Sequence, residues 1–113
     1  MPVNEVLDLA ITYNGNDVRR INHLLKVFSF ASHIGIMENC DSRLQTIIEI
    51  SALLHDIGIH EKAIDGIDFQ ILVEADFLVN IFEDEIDKPG CEKIKENIFK
   101  TKTGIKLLER LYI

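Results

Sequence analysis

The sequence predicts an all-α fold, a compact bundle of about five to six helices, on three observations. Apolar residues recur at spacings of three and four along nearly the whole chain. No run alternates apolar and polar residues in the manner of a half-buried strand, and no two such runs are joined by a hairpin turn. The length, 113 residues with 47% hydrophobic, suits one core and is too short for two, so residues 1–113 read as a single domain.

The elements follow in order. Val6, Leu9, Ala10 and Tyr13 give a first helix, about Val3 to Tyr13, one apolar stripe; Asn14-Gly15-Asn16 ends it, and it is expected to pack as a lid on the rest. A second helix, capped by Asn16 or Asp17, runs to about Asn39 through Ile21, Leu24, Leu25, Val27, Phe28, Phe30, Ala31 and Ile34. Those residues cover most of its circumference, which places it at the centre of the domain and leaves His23 where water is scarce. A third helix opens at Asp41 or Ser42, carries Leu44, Ile47, Ile48, Ile50, Ala52, Leu53 and Leu54, and stops near Gly58. Residues 61–67 form a short connection to a fourth helix, about Asp68 to Glu85, built on Ile71, Leu72, Ala75, Leu78, Val79 and Phe82. Lys88-Pro89-Gly90 breaks the chain. Two short amphipathic helices follow, about Glu92 to Phe99 and Gly104 to Tyr112, with Ile94, Ile98, Leu107, Leu108 and Leu111 as buried positions.

Composition excludes several classes of function. A formal charge of -7 opposes a nonspecific grip on nucleic acid or an anionic membrane, because both depend on Lys and Arg neutralising phosphates. The start MPVNEVLDLA has neither the basic opening nor the apolar run of a secretion signal, and no stretch reaches the roughly 18 apolar residues of a membrane span, so a cytoplasmic protein is expected. Cys40 and Cys91 stand far apart without a metal-type pairing and read as free thiols.

The chemistry concentrates where the third helix ends, in SALLHDIGIH, residues 51–60. Adjacent helical residues point about 100° apart, yet at a helix end both His55 and Asp56 can lean toward one ion. For an isolated His-Asp pair, an exposed aspartate beside a carbonyl-bonded histidine is the better account. His23 shifts that balance, since two histidines within buried helices are costly unless something satisfies them, and a divalent cation would. Asp76, inside the apolar run ILVEADFLVNIF, can complete a nitrogen and oxygen ligand set. Alternatively Asp76, Asn80 and Glu83, which recur at helical spacing, form the solvated face of the fourth helix.

The order His23 in RRINHLLKVFSFA, His55-Asp56 in ALLHDIGI and Asp76 in ILVEADFLV resembles the HD-domain family of metal-dependent phosphohydrolases. The resemblance spans about residues 16–85 and rests on the context of each residue: Val27 and Ala31 four and eight positions after the first histidine, and two leucines before the His-Asp pair. It implies an all-α bundle in which His23, His55, Asp56 and Asp76 bind one divalent metal ion. It also implies hydrolysis of a phosphate ester, nucleotides included, by metal-activated water. The donor set suits Mn, Fe, Co, Ni or Zn. Such an ion lowers the pKa of water from about 15.7 toward 7 and polarises a phosphoryl oxygen.

The chain departs from many members of that family, which carry a further helix and one or two more histidines between the His-Asp pair and the last Asp. Here only a short link containing His60 intervenes, and His33 lies on the helix of His23, so a two-metal mechanism is not expected. A shortened link leaves Ile57, Ile59 and a face of the fourth helix to be covered by a second copy, giving a homodimer. Lys26, with Arg19 and Arg20, is a candidate for holding charge on a small phosphorylated substrate; His60 and Glu61 are candidates for general acid or base. For all of these a plain solvated surface is the competing reading. The competing function is a noncatalytic HD-fold module, regulatory or dimerising, with a reduced or lost active site.

Overall fold

The computed structural model describes residues 3–57 and 66–113, which form six α-helices and one 3₁₀ turn, with no strand among the described residues. The helices are α1 (Val3–Asn14), α2 (Val18–Met37), α3 (Ser42–Leu54), α4 (Ile67–Glu83), α5 (Lys88–Asn97) and α6 (Lys102–Tyr112); the 3₁₀ turn His55–Ile57 continues α3. The bundle is all-α, as the periodicity predicts. No helix among the described residues is long and apolar enough to cross a membrane.

Local chemistry sets most of the boundaries. Asp17, Asp41 and Thr101 each accept a hydrogen bond from the backbone N–H three residues on, capping α2, α3 and α6. Asn39, at φ 62°, takes the left-handed conformation that turns the chain after α2, so α3 returns antiparallel and its end meets the start of α2. Three expectations need correction. Pro89 does not break the chain but lies in the first turn of α5, where a missing N–H costs nothing, and Asp87 caps that helix through Gly90 N. The α-helical part of α3 ends at Leu54 rather than near Gly58. On α1 the buried stripe is Val6 and Ala10 flanked by Val3 and Leu7, which leaves Leu9 and Tyr13 exposed on the other side.

Helix α2 lies against both α3 and α4, and its Val27, Ala31 and Ile34 join Ile48, Ala52, Ile71, Ala75, Leu78 and Leu108 in the main core. Each fully buried Leu or Ile stabilises the fold by about 1.5–3 kcal/mol. A smaller cluster of Val6, Ala10, Leu24 and Leu53 holds α1 in place. Phe82 and Leu111, expected inside, are exposed, and Ile81 is buried instead.

One acidic side chain lies wholly in the interior. Glu74 of α4 accepts hydrogen bonds from the N–H groups of Lys100 (2.8 Å) and Thr101 (3.0 Å), from the Thr101 hydroxyl (2.6 Å) and from Gln70 Nε2 (2.6 Å). The carboxylate therefore ties the α5–α6 connection to α4, and Gly104 is the residue that lets it approach: a Cβ there would collide with Glu74 Oε1.

Candidate functional site

The antiparallel run of α2 and α3, with α4 packed on both, brings three separate segments to one end of the bundle. His23 comes from the second turn of α2, Asp76 from the middle of α4, and His55 with Asp56 from the point where α3 tightens into its 3₁₀ turn. Asp76 Oδ1 lies 3.1 Å from His23 Nε2 and 3.5 Å from His55 Nε2. Asp56 closes the ring from the other side, Oδ1 3.1 Å from His55 Nε2 and Oδ2 3.7 Å from His23 Nε2. His23, His55 and Asp56 offer ligand atoms that all lie within 4.8 Å of one another. Both imidazoles are largely shielded from solvent, with side chains 13% and 14% exposed, while the carboxylates are about one-third exposed.

The far side of each ring is fixed. His55 Nδ1 donates to the Ala52 carbonyl at 2.6 Å, and His23 Nδ1 donates to Glu83 Oε1 at 2.9 Å. The Ala52 carbonyl only accepts, so His55 Nδ1 carries the proton and its Nε2 turns toward the two aspartates; His23 lies between two acceptors, Glu83 at Nδ1 and Asp76 at Nε2. An imidazole lone pair and a carboxylate oxygen repel one another. The ring of two imidazoles and two carboxylates therefore needs positive charge at its centre, from protons on Nε2 or from a metal ion in their place. His55 Nε2 makes the need visible, as a buried nitrogen without a hydrogen-bond partner.

The titration behaviour follows from these contacts. Burial pulls the His55 pKa down, but the approach of Asp76, the Ala52 carbonyl and the charge on Asp56 outweigh it, and the net shift is upward from 6.5. Burial pushes Asp76 up, while contact with His55 and the charges of His55 and His23 overcome it and lower its pKa below 3.8.

A cavity of about 220 Å³ opens onto this ring, lined by Asp17, Arg19, Arg20, His23, Asp56 and Glu83. Arg19 and Arg20 are the cations on its wall; Arg20 also pairs loosely with Asp17 at 3.8 Å. Lys26 is placed elsewhere. Its Nζ stands over the Phe82 ring, 5.2 Å from the centroid, in a separate cavity with Phe30, Leu78 and Tyr112. His60 and Glu61, with Ile59, lie outside the described residues.

Glu83 is the site residue that periodicity misses. Its spacing with Asp76 and Asn80 reads as a solvated face, and a single helix gives no sign that a histidine 60 positions earlier packs against it. No protein-family model, no curated protein and no solved structure matches the chain.

Proposed function

We propose that the chain is an HD-type metal-dependent phosphohydrolase, with His23, His55, Asp56 and Asp76 holding one divalent metal ion. The reading rests on one observation: a buried, partnerless His55 Nε2 aimed at a second imidazole and two carboxylates. The donor set fits such an ion. Ligand atoms each about 2.0–2.2 Å from a common centre, at tetrahedral or octahedral angles, stand about 3.0–3.5 Å apart. Asp76 Oδ1 stands 3.1 and 3.5 Å from the two Nε2 atoms and Asp56 Oδ1 3.1 Å from that of His55, while Asp56 reaches His23 through its other oxygen at 3.7 Å; His23, His55 and Asp56 are the three whose ligand atoms lie within 4.8 Å of one another. Nitrogen and oxygen donors together suit Mn, Fe, Co, Ni or Zn.

When bound, the ion supplies Lewis acidity to a phosphoryl oxygen and raises the acidity of a water. The chain's own residues do the rest. Glu83 and the Ala52 carbonyl hold the Nδ1 protons and so keep each Nε2 oriented inward. Arg19 and Arg20, on the cavity wall, bind the substrate's phosphate and carry the charge that grows on it during reaction. A cavity of about 220 Å³ takes the phosphate and leaves the alcohol portion of a small ester at its mouth. Ile67 and Phe69, exposed in the first turn of α4, belong to the apolar face that a second copy would cover, and sedimentation of the purified protein tests that dimer.

The decisive experiment is metal analysis of the purified chain combined with hydrolysis of a generic phosphate ester in added Mn, Co or Ni. Stoichiometric metal and turnover, both abolished by Asp76→Ala, support the reading. Metal retained without turnover of any phosphate ester or nucleotide points to a regulatory module, and absence of metal under all loadings removes the hydrolase reading.

A further inference from the structure

The molecule has a second cavity with cations on its wall, and its lining is mostly apolar where that of the first is mostly polar. It is a groove of about 490 Å³ between the C-terminal part of α2 and the length of α6. Lys102, Lys106 and Arg110 line one side at successive four-residue spacings, so they form a row about 12 Å long on one face of α6. His33, Met37, Glu38, Thr103 and Leu107 form the rest of the wall.

Three features set this groove apart from ordinary solvated surface. None of the three cations has an acidic partner within ion-pair distance among the described residues, whereas Lys95 on α5 is paired with Glu109 at 3.2 Å. The one acid in the wall, Glu38, is already committed: its Oε2 accepts from Thr103 N (3.1 Å) and the Thr103 hydroxyl (2.6 Å), which satisfies the first turn of α6. A row of three cations without an ion-pair partner among the described residues, facing the single carboxylate of Glu38, also runs against the background of a chain with net charge -7. The volume falls in the range of about 300–1,000 Å³ typical of small-molecule sites.

We infer that this groove binds a small molecule carrying two or more phosphate groups next to a flat apolar moiety, the chemistry of a nucleoside polyphosphate. The phosphates lie along Lys102, Lys106 and Arg110, where Arg can engage two oxygens at once, and the apolar moiety rests on Met37 and Leu107. Nucleic acid is a poor fit, because three cations cannot hold a long polyanion to so acidic a protein. A peptide helix is also disfavoured, since it needs several apolar anchor pockets and Met37 and Leu107 are the only apolar residue types in the lining. His33 follows His23 by ten residues, about 15 Å along α2, so the groove is a distinct site and the inference stands whether or not the metal centre is catalytic.

Calorimetric titration of the full chain with adenosine triphosphate, in low salt and with EDTA present to exclude metal, tests the assignment. Inorganic triphosphate and adenosine form parallel arms. The expected result is saturable binding of the nucleotide that weakens as salt rises, with weaker binding of triphosphate and none of adenosine. Lys106→Ala and Arg110→Ala, both at exposed positions, are each expected to weaken binding by about tenfold, with circular dichroism unchanged. Amide NMR shifts should move at residues 33–38 and 102–110. Absence of nucleotide binding, equal binding of triphosphate and nucleotide, insensitivity to the two variants, shifts concentrated at residues 17–23, or displacement by an acidic peptide would each overturn it.

Discussion

Glu74 and Asp76 stand two residues apart on α4, about 200° apart around the helix, and so face opposite sides of the bundle. Glu74 is fully buried and has four donors around its two oxygens. Asp76 is half-buried and faces two imidazoles, its Oδ1 3.1 and 3.5 Å from their Nε2 atoms. The first arrangement is closed: every polar atom has its partner, and nothing remains to bind a ligand. The second is open. A carboxylate's burial alone therefore says little about its role; whether its neighbours leave a charge uncompensated says far more.

Substitutions on the two sides can break that contrast. The largest expected effect is that of Glu74→Ala, which strands two backbone N–H groups and a hydroxyl in the interior and should cost about 3–5 kcal/mol in urea unfolding. Gly104→Ala should cost about 1–3 kcal/mol, because its methyl would meet Glu74 Oε1 and come within 2.8 Å of Thr101 Oγ1. On the open side, Glu83→Gln should weaken metal affinity by about 10- to 100-fold, read by competition with a chelator, while the fold is retained. Asp76→Ala should change metal-free stability by less than about 1 kcal/mol, as expected of a partly exposed charge. If it costs as much as Glu74→Ala, the distinction between the two carboxylates fails.

The pH dependence sharpens the same contrast with a smaller signal. The metal-free His55 pKa is raised above 6.5, so its contribution to stability is complete below that value and disappears as pH rises through the raised pKa. The Asp76 pKa is lowered below 3.8, so its contribution is present above that value and disappears as pH falls through the lowered pKa. Urea unfolding of the metal-free protein should show a stability plateau between these limits, and Asp76→Ala should flatten both edges. For the proposed metal site the opposite slope is expected on the alkaline side: an ion would displace the His55 proton, so affinity measured by chelator competition should rise with pH across the raised pKa.

The candidate ligands His23, His55, Asp56 and Asp76 were legible because polar residues inside apolar helical runs are conspicuous, and their order along the chain carried the resemblance. Glu74 sits in the same run, and its place one turn after Ile71 and one turn before Leu78 puts it on their buried stripe. Glu83 was hidden for a different reason. Its spacing from Asp76 is what a solvated face requires, and only the packing of α2 against α4 makes that face an interface. Pro89 is ambiguous in sequence because proline stops a helix interior yet opens a helix start, and the choice depends on Asp87 acting as a cap.

The sequence by itself determined that the chain is helical, and it determined most of the helix starts, because periodicity and capping are local: Asp17, Asp41 and Thr101 act on N–H groups three residues away. Tertiary structure alone decided which polar side chains would meet. A carboxylate on α4 can face water, an amide or an imidazole without any change in its own helix, and the choice is made by neighbours 26 to 60 residues distant whose packing is set by the whole apolar core.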